Sequence, residues 1–200
     1  MRKINAYIFC LTLFTLSVTN GQIYNDYSNI NNHDIIDALA FTGIGIFKFQ
    51  IDSLKEAHNF YLILDEYVGK NNLVKTDTLL GYSPFEINTN NIGTIRFLTK
   101  IINNSYDTTY LFISTSNVAV FKEIVMNKKY VRKHYWLKFS KSEVAINKKI
   151  PLLFYASEWD AIVMGKKTTR FCSFNEVPID LKSDAINEIP HFYIISYLFK

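Results

Sequence analysis

The chain has 200 residues, of which 48% are hydrophobic, 20% charged and 16% aromatic, with a formal charge of +4. That length suits one domain of roughly 100–200 residues, able to bury about 70% of its unfolded surface. The apolar share excludes wholesale disorder, and seven Gly with four Pro exclude collagen-like and Pro-rich linker architectures.

Arg2 and Lys3 precede an apolar run from Ala6 to Val18, which exits through Thr19, Asn20 and Gly21. Basic start, short apolar run and small-residue exit predict a secretory signal peptide over residues 1–21, cleaved after Gly21. The run is shorter than the ~20 apolar residues that a membrane-spanning helix needs. No later stretch qualifies either, so no transmembrane segment is expected once the signal is removed. Cys10 lies inside the run behind Phe9, which argues against lipoprotein processing. Losing Arg2 and Lys3 takes two charges from +4, leaving about +2. An exported, near-neutral chain is not a nucleic-acid binder. Cys172 is then the lone cysteine, expected as a buried, inert thiol.

Gln22 to Asp34 is polar and Asn-rich, and reads as a flexible lead-in over 22–34. His33 to Ala40 predicts a short helical turn. From Phe41 onward the runs are rich in Ile, Val, Tyr, Phe and Thr and are bounded by Gly, Asn or Pro. Asn59–Val68 and Leu73–Leu80 flank the turn residues 69–72 and predict a hairpin, as do 91–102 and 108–114 around 103–107. Gly69, Gly81 and Gly93 fall at equal intervals, a turn rhythm typical of sandwiches and barrels. A helix over 53–68 competes with the first hairpin, because Ser53 and Glu56 form a capping box and Leu54, Ala57, Tyr61, Leu64 and Val68 keep helical spacing. The hairpin is preferred, because Phe60, Leu62 and Ile63 make most sides of that helix apolar. Further strands are expected at 118–125, 130–140, 150–156, 168–174 and 191–199, with a short helix within 179–188. The prediction is a single all-β, mainly antiparallel, sandwich-like domain over 35–200. A membrane barrel fits less well, since Gly is sparse and charges interrupt the stripe that would face lipid.

No cofactor or catalytic signature is present. Gly43-Ile44-Gly45 lacks the third Gly of a dinucleotide fingerprint, and 81–85 lacks the second Gly of a nucleophile elbow. His33, His58, His134 and His191 are too scattered for metal-ligand spacing. Asp65 and Glu66 point to opposite faces of a strand, and Glu158 and Asp160 read as solvated loop acids. No catalytic residue, metal or cofactor is therefore nominated, although a Ser-His-acid set assembled from distant residues leaves no local signature. Asn103-Asn104-Ser105 forms one glycosylation sequon.

The richest segment is 128–141. As a strand it places Val131, Lys133, Tyr135, Leu137 and Phe139 toward the core. Tyr130, Arg132, His134, Trp136 and Lys138 form an outward cationic-aromatic row, suited to stacking on sugar rings and holding anions. A solvated outer sheet face would show the same pattern. The signal peptide, Gln22 as first mature residue, and the hairpin segments 66–68 and 75–78 together resemble the small exported β-rich proteins of domain-of-unknown-function families in AT-rich Gram-negative bacteria. The resemblance implies no activity and no site. The expected function is a non-catalytic interaction or structural module, periplasmic or secreted, with a protein or anionic glycan as partner. A glycan- or anion-binding module using 130–138, or a hydrolase, are the alternatives.

Overall fold

The computed structural model describes residues 30–51, 57, 59–69, 71–81, 93–102, 107–130, 132–140, 143–170, 176–177 and 184–200. The signal segment, Cys172, the sequon and the capping-box residues 53–56 lie outside them. The chain divides into residues 1–35, of which 30–35 are described, and residues 36–200, which hold all the described strands.

Helix α1 (Asn32–Phe41) is longer than the turn expected. Its start is closed reciprocally: Asn31 Oδ1 accepts the His33 amide at 2.7 Å, and Asp34 Oδ2 accepts the Asn31 amide at 2.8 Å. It ends before Gly43, whose φ of +79° is the left-handed conformation that closes helices.

Four antiparallel strands then form one sheet in the order β1 (Ile44–Gln50), β4 (Thr94–Ile101), β5 (Thr108–Ser114), β6 (Ala119–Val125). A second sheet has six strands in the order β11 (Glu176–Val177), β7 (His134–Phe139), β8 (Ile150–Ser157), β12 (His191–Phe199), β2 (Phe60–Val68), β3 (Asn72–Leu80). Its pairings are antiparallel except the short β11·β7 contact. The fold is all-β and sandwich-like, as the sequence predicts. Both predicted hairpins form, and residues 59–68 are extended, which overturns the competing helix. Gly69, Gly81 and Gly93 all take positive φ, at +50°, +98° and +56°. Gly81 is also sterically fixed, since a Cβ there would overlap the Phe60 carbonyl oxygen.

The main core lies between the sheets. Ile95, Phe97, Leu111 and Ile113 from one face meet Phe60, Leu62, Ile195 and Phe199 from the other. Alternation puts these residues on one side of each strand. The six-stranded sheet is unusual in being covered on both faces. Phe139, Phe154, Phe192 and Ile194 on its far side pack under Trp159, Ile186 and Ile189. Accordingly all nine residues of β12, HFYIISYLF, are buried, in a strand predicted over 191–199.

That second layer comes from elements only partly anticipated. Trp159 opens β9 (Trp159–Val163), which turns at Met164 and Gly165 into β10 (Lys166–Arg170). Ile186 lies on α2 (Asp184–Asn187), inside the short helix expected within 179–188. Glu158 lies in the one-residue link between β8 and β9, as a loop acid should, whereas Asp160 is exposed but on a strand. Glu158 accepts the Tyr135 hydroxyl at 2.9 Å, and Asp160 sits in β9 with Arg132 and Lys167 on it.

Candidate functional site

The predicted row of Tyr130, Arg132, His134, Trp136 and Lys138 does not form as one outward face. Strand β7 begins only at His134, and Tyr130 ends a short 3-10 turn. The face carrying His134 and Trp136 turns inward, toward the four-stranded sheet. His134 is 2% exposed, and Trp136 packs against the main core with its ring stacked on Tyr155 at 4.5 Å. Leu137 and Phe139, placed in the core by the sequence, are indeed covered, but by the second layer. The alternation was legible; the assumption of a solvated side was not valid here. Arg132 is exposed and drawn away to Asp160, which it grips in bidentate fashion, Nη2 to Oδ2 at 2.7 Å. Lys138 is exposed at the far end of the strand.

Trp136→Ala is consequently expected to cost about 3 kcal/mol, as truncation of a core aromatic does. Arg132→Ala should leave the unfolding midpoint at the wild-type value. Equal, small effects of the two in urea titrations would contradict this placement.

What the inward face does assemble is a buried polar centre. His134 pairs across the ladder with Ser157, and the Phe192–Ala156 pair brings His191 level with Ser157 on the next strand. Ser157 and His191 have no exposed surface. Glu66, from β2, accepts the His191 Nε2–H at 2.8 Å. Tyr130 and Tyr193 lie with ring centroids 5.7 and 5.0 Å from His191. Tyr193 ties the centre to the opposite sheet by donating its hydroxyl to the Val125 carbonyl at 2.9 Å. Both ring nitrogens of His134, Nδ1 of His191, Nε1 of Trp136 and Oγ of Ser157 are buried without a hydrogen-bond partner.

Electrostatics follow from that burial. Desolvation, reinforced by His191 and partly offset by Asp107, pushes the His134 imidazolium down to about 4. Burial also lowers His191, although its bond to Glu66 works the other way. Burial and the nearby Glu66 raise the Tyr193 hydroxyl. Both histidines are thus neutral near pH 7. Glu66, His191 and Ser157 have the residue types of a hydrolytic triad, but the acid holds Nε2. No hydrogen bond reaches the Ser157 hydroxyl, which is sealed from any substrate.

Glu66 also lines an open pocket of about 240 Å³ with Lys75, Asp77, Lys122, Glu123 and Tyr193, where β3 approaches β6. Burial opposes ionisation of Asp77, but hydrogen bonds from Lys75 at 3.0 Å and Lys122 at 3.2 Å hold its carboxyl below the ordinary value. Both ammonium groups are thus engaged by Asp77, and Glu66 adds a second carboxylate to the lining. The pocket is not built for an anion. Among the described residues no group of three His, Cys, Asp or Glu could hold a metal ion.

A third feature was missed by the sequence reading. On the outer face of the four-stranded sheet, Ile46 pairs with Leu98, Leu98 with Phe112, and Phe112 with Phe121. These four side chains form an unbroken apolar row across every strand, at 45%, 40%, 37% and 61% exposure. Tyr110 abuts Phe121 with centroids 5.1 Å apart. Among the strand residues of this face, Lys48, Arg96 and Lys100 flank the row and Glu123 is the one acid. The available signal was adjacent apolar pairs in mid-strand, such as Ile46-Phe47, Phe97-Leu98 and Val120-Phe121, which mark strands apolar on both faces.

The model of a domain of unknown function, DUF5041, matches residues 15–200. No curated protein and no solved structure matches the chain.

Proposed function

The chain belongs to the DUF5041 family, and on that premise we propose that it is an exported, non-catalytic interaction module that docks a protein partner on the outer face of its four-stranded sheet. The observation that carries this reading is the row Ile46, Leu98, Phe112 and Phe121. Four large apolar side chains aligned across a sheet form a contiguous patch, whereas apolar residues scattered singly need no explanation. Each is already about half covered, so each would gain about half of the roughly 1.5–3 kcal/mol that burying such a fully exposed side chain is worth. Aromatic residues and Arg with few acids are the composition of interface centres. The cationic flanks favour a partner whose own apolar patch is rimmed by carboxylates. Export rests on the basic start, apolar run and small-residue exit of residues 1–21. The sealed Ser157 and the commitment of Glu66 to His191 support a structural part for the buried centre.

The test uses a photo-crosslinking residue in place of Phe121, in protein made by its native host. A discrete adduct should form and should vanish when Leu98→Lys is added. The captured protein, once purified, should bind wild type and lose about tenfold or more in affinity to Leu98→Lys, with the melting temperature unchanged. A self-adduct alone, or an adduct indifferent to Leu98→Lys, would overturn the reading.

A further inference from the structure

The β9–β10 hairpin leaves the layered body as a two-stranded ribbon, and its tip is apolar. Ile162 is 81% exposed and Met164 is 99% exposed. The turn is compact, with Met164 and Gly165 both at positive φ, +51° and +76°, as two-residue hairpin turns require. The register sets lysines directly opposite the aliphatic residues, Lys167 across from Ile162 and Lys166 across from Val163. The nearest acid, Asp160, lies toward the foot of the ribbon and is already neutralised. Arg132 grips it and Lys167 Nζ lies 3.0 Å away, and these bonds hold its carboxyl far below the usual range.

We propose that this tip inserts into an anionic lipid surface, with Ile162 and Met164 in the acyl boundary and Lys166 against the headgroup phosphates, while Lys167 stays on Asp160. Three observations select lipid over a protein partner. A tip of two or three side chains is far smaller than the roughly 800 Å² per partner that specific protein interfaces bury. It carries no aromatic anchor, and a flexible thioether and an aliphatic chain suit a fluid medium without shape of its own. Lys166 stands one pair behind the Met164 apex, level with Val163, where a long cationic side chain reaches phosphates while its stem stays in the apolar zone. This site is separate from the sheet face proposed for protein docking and does not depend on it.

Flotation with vesicles of equal parts phosphatidylglycerol and phosphatidylcholine, against pure phosphatidylcholine, tests the proposal, with all variants sharing one N-terminus. Wild type should float with the anionic vesicles, and less so as salt rises. Ile162→Asp combined with Met164→Asp should lower the partition about tenfold or more, with circular dichroism and melting unchanged because the replaced side chains are exposed. Lys166→Gln should lower it about fivefold and flatten the salt dependence. Failure of wild type to float, equal flotation of the double variant, or equal binding to uncharged vesicles would each overturn the proposal.

Discussion

Lys149→Met is expected to lower the free energy of unfolding by about 3 kcal/mol, read as a drop in the urea midpoint at unchanged slope. Asp65 on β2 is 2% exposed, and its carboxylate is held by Lys149 Nζ at 2.9 and 2.7 Å and by the Thr76 hydroxyl at 2.6 Å. Removing the ammonium leaves a buried charge with one neutral donor, an arrangement far costlier than the pair is worth. The two halves of the pair are not equivalent. The Lys149 side chain is 41% exposed and its partner's only 3%. Asp65→Leu frees a cation that can turn to water, and should cost much less than Lys149→Met. The double variant should recover most of the loss, because an apolar pair needs no compensation. Equal costs for the two single variants would show that the carboxylate is hydrated rather than sealed.

The elements easiest to read were those whose environment is uniform. Strand β12 was legible to the residue because it is buried on both faces, so seven of its nine positions are large and apolar and its ends stand out. The hairpins around Gly69 and residues 103–107 were legible because turn chemistry is local. Strand β7 shows where a local reading stops. Its alternation was correct, with Trp136 on one side and Leu137 and Phe139 on the other. Which side meets water depends on Trp159, Ile186 and Ile189, which arrive from later in the chain. No pattern within 130–140 reports that cover. The error moved a supposed binding row into the core, and with it went the geometric basis for a glycan platform there. The buried centre was illegible for a related reason. Glu66, Ser157 and His191 come together only through the registers of β2, β8 and β12, and isolated polar residues in apolar runs carry no spacing of their own. The outer apolar row was visible in principle. Apolar neighbours at Ile46-Phe47 and Phe97-Leu98 break the alternation that a half-solvated sheet should keep, and that break was the clue.

Acid should unfold this protein through the same centre. Histidine in an unfolded chain titrates near 6.5, while His134 in the fold is pushed down to about 4. Below pH 6.5 the unfolded chain therefore binds a proton that the native protein refuses. The stability that neutral His134 provides is complete above pH 6.5 and is lost progressively as pH falls toward 4. At about 1.36 kcal/mol per pKa unit, the loss from His134 alone is about 3 kcal/mol. His191 is lowered too and adds in the same direction, less steeply because Glu66 favours its charged form. Of the groups around His134, Ser157, Tyr155 and Trp136 are neutral, His191 would repel its charge, and Asp107 offsets the penalty only in part. Urea midpoints measured between about pH 7 and pH 4 should fall along this curve. His134→Phe keeps an aromatic ring against Tyr155 while removing the titration, and should flatten most of the slope. A wild-type midpoint that stays level across that range, or a slope unchanged in His134→Phe, would place the imidazole in water and remove the buried centre from the fold.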